Sequence, residues 1–337
     1  MDGVGEPGGR ADREGSGVST AAVRRTGGQA VGKTFTEPAL WGLVGNTPLI
    51  PCGPAHPSAR PSLYLKCEWL NPGGSVKDRA GLYILRDGVA RGELPAKRVL
   101  DASSGNTAIA YAMLGAAAGI GVTVCVPANA SAERKALLET YGAEVIFTDP
   151  LDGSDGAIRA ARELAAKRPE RYWYADQYNH PANPRAHYLT TAEELWRQTA
   201  SRITHLVAGL GTTGTLMGTG RRLKELNPAI EVVAVQPDGP FHGLEGMKHL
   251  PTAIVPGIYD PSLPDRTEFV ATEHAEDAVR RLAKQAGLFV GWSSGAAIVA
   301  AERMRLSATA VVVVIAPDSG TRYVSEHRRL SGEGGAA

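Results

Sequence analysis

The chain has 337 residues, long enough for two domains that each bury a core, so it is large enough to be a cleft enzyme. Its 36 lysines and arginines nearly balance 35 aspartates and glutamates, which excludes a net field for nucleic acid or an anionic membrane and points to small molecules or other proteins as partners. Cys52, Cys67 and Cys125 lack metal-ligand spacing and are odd in number, which argues against a disulfide framework and for a reducing cytoplasm, and no run reaches the about 18 apolar residues of a membrane span.

Residues 1–35 are rich in Gly, Ser, Arg and acidic side chains without an apolar period, so a disordered tail is expected there. Beyond residue 63, short apolar runs alternate with alanine-rich amphipathic segments, the pattern of a strand-helix-strand chain with parallel sheets. The runs at 63–66, 98–101, 121–126, 144–147, 205–208, 231–235 and 310–316 read as buried strands. Those at 107–119, 132–141, 156–167, 215–226, 273–286 and 295–304 read as helices. The two prolines of Asn179-His180-Pro181-Ala182-Asn183-Pro184 predict an irregular crossover between two α/β domains.

In chain order, the first turn of chemical interest is Asn71-Pro72-Gly73-Gly74-Ser75-Val76-Lys77-Asp78-Arg79, ahead of a helix-like run at 80–85. A lysine near a helix start is most often a solvated charge, but a desolvated amine there forms Schiff bases with aldehydes. Ser103-Ser104-Gly105-Asn106-Thr107 follows a strand and opens a helix, which suits a carboxylate; capping by Ser or Asn is the ordinary alternative. Gly209-Leu210-Gly211-Thr212-Thr213-Gly214-Thr215 also leads from strand to helix, with N–H groups and hydroxyls for an anion. It fits G-x-G-x-x-G, yet the next strand runs into Val235-Gln236 and supplies no ribose-binding acid, so the dinucleotide reading is weak. Gly291-Trp292-Ser293-Ser294-Gly295 is a second serine turn before a helix. Ala316-Pro317-Asp318-Ser319-Gly320-Thr321-Arg322-Tyr323 ends the most apolar strand, at the edge where open sheets bind ligands.

Taken in order, Gly45-Asn46-Thr47-Pro48-Leu49, Ser75-Val76-Lys77-Asp78-Arg79, the 103–107 turn, the 211–215 loop, Ser293-Ser294-Gly295 and Asp318-Ser319-Gly320-Thr321-Arg322-Tyr323 resemble the cysteine synthase and cystathionine β-synthase family. The likeness spans roughly residues 37–328 and looks most like the O-phosphoserine sulfhydrylase branch. It implies an α/β, tryptophan synthase β-like fold (fold type II of the pyridoxal phosphate enzymes), with two three-layer αβα domains and the cofactor in the cleft between them. Residues 70–180 would form the N-terminal domain, with the carboxylate loop. Residues 36–69 and 181–330 would form the C-terminal domain, with the phosphate loop.

The resemblance further implies pyridoxal 5'-phosphate as cofactor, held by Lys77 as a Schiff base, with Lys77 later serving as general base at Cα. Its phosphate would lie on Gly211, Thr212, Thr213, Gly214 and Thr215, its 3' oxygen on Asn106 and its ring nitrogen against Ser293. The substrate carboxylate would rest on Ser103, Ser104, Gly105, Thr107 and Gln177. The implied reaction is β-replacement on O-phosphoserine or O-acetylserine through an α-aminoacrylate, by sulfide, an amine or a sulfur-carrier protein, in a homodimer; no metal is called for. A β-eliminating dehydratase-type lyase and a non-catalytic scaffold stay open as alternatives. Two positions depart from the family pattern. Ser103 stands where many relatives have threonine, and Gln236-Pro237-Asp238-Gly239-Pro240 offers no arginine for a substrate phosphate, leaving His242, Lys248 and His249 as substitutes or as a solvated loop.

Overall fold

The structure, a computed structural model, describes residues 35–52, 62–103 and 105–324. All but one residue of the expected tail, and Ser104 of the carboxylate turn, lie outside the described residues. Consecutive β-branched residues without polar alternation make strands that are covered on both faces. Among the described residues the strands are β1 (Leu49–Pro51), β2 (Ser62–Cys67), β3 (Arg98–Ala102), β4 (Val122–Pro127), β5 (Glu144–Thr148), β6 (Tyr172–Tyr174), β7 (His205–Gly209), β8 (Glu231–Pro237), β9 (Arg266–Val270) and β10 (Val311–Ala316). One sheet has the order β1-β2-β10-β7-β8-β9, the other β5-β4-β3-β6. Every pairing is parallel except β1 with β2.

Helices connect them: α1 (Lys77–Ala90), α2 (Asn106–Ala118), α3 (Ala132–Thr140), α4 (Gly153–Lys167), α5 (Ala182–Ala186), α6 (Ala192–Gln198), α7 (Gly214–Leu226), α8 (Thr272–Ala286) and α9 (Trp292–Arg303). The period of two along each strand divides the larger sheet's side chains between two cores. Val207, Val233, Val312 and Val314 pack with Val279 of α8 and Ala297 of α9. Their neighbours Leu206, Val232, Val313 and Ile315 pack on the opposite face with Leu195 of α6 and Leu216 of α7. In the smaller sheet Leu100 and Cys125 meet Ile158 of α4, while Asp101, on the other face, accepts a hydrogen bond from Tyr111 of α2 at 3.0 Å. The architecture is α/β with helices on both sides of parallel sheets. Glu37 and the described residues after it belong to one compact unit.

The expected irregular crossover at 179–184 needs correction. It carries the chain from β6 to β7, but Ala182–Ala186 is helical, with Pro181 at the N-cap and Pro184 in the first turn. Helix N–H groups there have no intrahelical acceptor, so a proline costs no hydrogen bond.

Candidate active site

The turns singled out in the sequence converge on the carboxyl ends of β3, β7 and β10. Lys77 is the first residue of α1. Gly74, at a φ of 78°, makes the turn before it, a conformation that glycine adopts at no steric cost. Val76 N–H donates to Pro317 O at 2.8 Å, and Ser75 forms a β-bridge with Asp318. Lys77 is thereby pinned to the end of the central strand β10. Burial of its ammonium holds the pKa below the ordinary lysine range, with the negative charge of Asp318 opposing.

Lys77 stands where two chambers of one cleft meet. Asn106, Gly211, Thr212, Thr213, Thr215, Ser293 and Asp318 line the first. Ser103, Gly105, Thr107, Gln177, Arg134 and Lys248 line the second, and Lys77, Asn106, Gly211 and Thr212 face both. The structure thus gathers every described residue of the predicted site except Gly214, which packs beneath Asn183.

Three helices point their N-termini here without the usual caps. Gly105 before α2, Thr213 before α7 and Gly291 before α9 make no side-chain cap bond. Capping is therefore not what Ser293 and Ser294 do, since α9 already begins at Trp292. Ser103 does both jobs: it lines the cleft, and its Oγ accepts from Gly105 N and Ala108 N at 3.3 and 3.2 Å. Thr107 Oγ1 donates to Gln177 Oε1 at 2.7 Å, and Gln177 Nε2 donates to Ala102 O at 2.7 Å. These bonds fix the carboxylate turn to the segment after β6.

Sequence reasoning gave no role to Asp318 or Arg134, and it offered Lys248 only as a substitute cation or as part of a solvated loop. Asp318 Oδ2 accepts from Asn106 Nδ2 at 2.6 Å and from Tyr323 OH, while its buried Oδ1 has no partner. Burial raises its pKa against these bonds and the Arg322 and Lys77 charges. The turn carrying Asp318 was visible in the sequence; its aim was not. Arg134 of α3 pairs with Glu245 at 2.6 Å, and Lys248 with Asp155 of α4 at 2.8 Å. Both pairs join the 243–249 segment to helices of the smaller sheet, contacts that a linear reading cannot show.

The model for "Pyridoxal-phosphate dependent enzyme" matches residues 40–318. The chain is 51% identical over 292 residues to the cysteine synthase of Aquifex aeolicus, covering 84% of this chain and 89% of that one. It belongs to the cysteine synthase family of pyridoxal-phosphate-dependent enzymes. Two solved structures agree: O-ureido-L-serine synthase (TM-score 0.79, 35% identity, 85% of this chain and 93% of that one) and the cysteine synthase of Entamoeba histolytica (0.80, 30%, 90% and 93%). As in its relatives, the cofactor is pyridoxal 5'-phosphate and the enzyme is a transferase. No helix among the described residues is long and apolar enough to cross a membrane.

The residues present suit that cofactor. Thr213 Oγ1 is buried without a partner at the start of α7, and a phosphate at that N-terminus would satisfy it. An amine whose charged form is disfavoured, Lys77, faces the same chamber, ready for an aldehyde. Gly214 has a packing reason: a Cβ there would lie 1.9 Å from Asn183 Oδ1, and Asn183 ties Gln177 O to Thr212 Oγ1 at 2.8 and 3.1 Å. Gly214→Ala is expected to displace Asn183 and lower affinity for pyridoxal phosphate by about tenfold or more, the equivalent of one charge-assisted hydrogen bond, in a fluorescence titration.

Proposed function

We propose that the enzyme performs β-replacement on an activated L-serine, exchanging the β-substituent for a sulfur or amine nucleophile to give cysteine or a related β-substituted alanine. The observation that carries this is the single cleft in which Lys77 lies between an anion loop and a carboxylate turn. When bound, pyridoxal phosphate supplies an electron-withdrawing ring that stabilises negative charge at Cα. Lys77 Nζ would hold it covalently and would serve as the base for the Cα proton. The 211–215 loop would hold the phosphate, Asn106 the 3' oxygen, and Ser293 would face the ring nitrogen. Ser103, Thr107, Gln177 and the N–H groups opening α2 orient the substrate carboxylate, with Ser104 contributing from outside the described residues.

The leaving group depends on the segment after β8. Gln236 accepts from Leu250 N at 3.0 Å, His249 pairs with Thr252, and His242 accepts from Leu244 N. Of the candidate cations in this segment, Lys248 is the one that lines the cleft, its amine 5.1 Å over the Tyr178 ring and paired with Asp155. A buried cation there favours an anionic β-substituent, hence O-phosphoserine over O-acetylserine. Mixing each serine ester with the loaded enzyme and following the shift of its visible band tests this. O-phosphoserine should react at the lower concentration, and Lys248→Met should raise its KM about tenfold while leaving that of O-acetylserine within about twofold. Preference for O-acetylserine in both proteins would refute the assignment.

The similarity to an O-ureido-L-serine synthase keeps the nucleophile open. Sulfide, a sulfur-carrier protein's thiocarboxylate and amines remain to be compared by product analysis. The division into domains over 70–180 and over 36–69 with 181–330, assembly as a homodimer and a cytoplasmic location belong to the same proposal. The division draws on the two separate sheets.

A further inference from the structure

We infer that His187 is a positioning residue for the anion loop: its Nε2–H donates to Thr215 Oγ1, so that the threonine's own proton stays free for the cofactor phosphate. This rests on the proposal that the 211–215 loop holds that phosphate. Sequence reasoning did not single out His187, which begins a π-helical turn, His187–Thr191, between α5 and α6. Such turns insert one residue into a helix and recur at functional sites. Here the turn lies directly against α7. Gly218 of α7 has no room for a Cβ, which would lie 2.0 Å from Pro184 O and 2.9 Å from His187 Cβ. That close approach brings His187 Nε2 within 3.3 Å of Thr215 Oγ1, while Nδ1 lies 2.9 Å from Thr191 Oγ1.

The ring is fully buried. Burial, then the neighbouring Arg79 and Lys77 charges, push its pKa down to about 3 against Glu68 and Glu194. A neutral imidazole carries one N–H, so two arrangements exist. With the proton on Nδ1, Thr215 must donate to Nε2, and only a lone pair is left to face a phosphate dianion. With the proton on Nε2, Thr191 donates to Nδ1, Thr215 accepts from Nε2, and the Thr215 proton points into the chamber it lines. An anion in the loop selects the second arrangement, and a neutral histidine achieves this without adding a charge that would compete with the loop.

The test compares pyridoxal 5'-phosphate with pyridoxal, which lacks the phosphate, by titrating cofactor-depleted full-length enzyme. In His187→Asn the shortened amide no longer reaches Thr215. Affinity for the phosphate form should fall about tenfold, pyridoxal affinity should stay within about twofold, and the 31P signal of the loaded enzyme should move. His187→Gln places an N–H near the Nε2 position and should restore the phosphate form to within about threefold. Thr191→Val, remote from the cofactor, releases the tautomer and should give a smaller loss in the same direction. In a Thr215→Val background His187→Asn should cost nothing further. Equal losses for both aldehydes, an unaffected His187→Asn, or full additivity with Thr215→Val would overturn the role of His187. If Thr215→Val alone leaves the preference for the phosphate form unchanged, the loop assignment itself fails, and this proposal with it.

Discussion

Replacing Lys77 by alanine is expected to remove the visible absorption band of the cofactor-loaded enzyme and to lower kcat by about a thousandfold or more, the range of a lost positioned base. The cofactor-free protein should melt no lower than the parent, because burial disfavours the ammonium form of Lys77 and its removal relieves that cost. Lys77→Arg is the informative companion, since a guanidinium keeps the charge but does not give up its proton. It should be as inactive as the alanine variant. A loaded visible band and near-normal turnover in either variant would reduce Lys77 to a structural residue. A lower melting temperature for Lys77→Ala would contradict the claim that its charge is held at a cost to the fold.

Chemistry carried by local pattern was legible in the sequence. Buried strands announce themselves as β-branched runs, and β10 reads Val-Val-Val-Val-Ile-Ala with all but Val311 buried. The strands without such a signal, β1, β6 and β9, are edges of their sheets, where one side lacks a partner strand and polar or short sequences suffice. Except for α3, which begins at Ala132 as expected, helix starts were read one to three residues late. Serine and glycine turns look like loops, yet Ser293 sits inside the first turn of α9. Most of the candidate site residues could be assembled because they belong to turns at strands' carboxyl ends, a topological rule rather than a pairwise one; Ser293, at the start of α9, which follows α8 directly, is the exception.

Contacts between elements remote in sequence were not legible. Asn106 meets Asp318 across 212 positions, and Arg134 meets Glu245 across 111. His187 offered no signal either, because its role comes from the approach of α7 at Gly218, and no spacing along the chain encodes that approach. The same limit hid the charge cluster that seats the lysine helix.

Arg79→Met is expected to destabilise the protein by about 3–5 kcal/mol in urea unfolding, the cost of leaving a buried charge uncompensated. Arg79 Nε and Nη2 donate to Glu68 at 2.7 and 2.8 Å, and Nη1 and Nη2 donate to Glu194 at 2.6 and 2.8 Å. Lys66 completes the balance with a 2.5 Å bond to Glu194. Lysine has too few donors for this double fork, so Arg79→Lys should rescue little. Burial alone would raise the Glu68 pKa, but Arg79, Lys66 and the Thr47 hydroxyl bring it down from 4.5 to about 2. A carboxyl with a depressed folded-state pKa contributes stability that is complete above about pH 4.5 and is lost as pH falls toward 2. The shift corresponds to about 3 kcal/mol, so the acid limb of the stability profile should be shallower in Arg79→Met than in the parent. An unchanged urea midpoint, or an equally steep acid limb, would show that the cluster is not what holds this junction. Two residues along a helix turn by about 200°, so Arg79 faces this cluster while Lys77 faces the cleft. Loosening the anchor should therefore also lower kcat in the folded, cofactor-loaded variant, and by less than Lys77→Ala does, because the amine is still present and only its placement is relaxed.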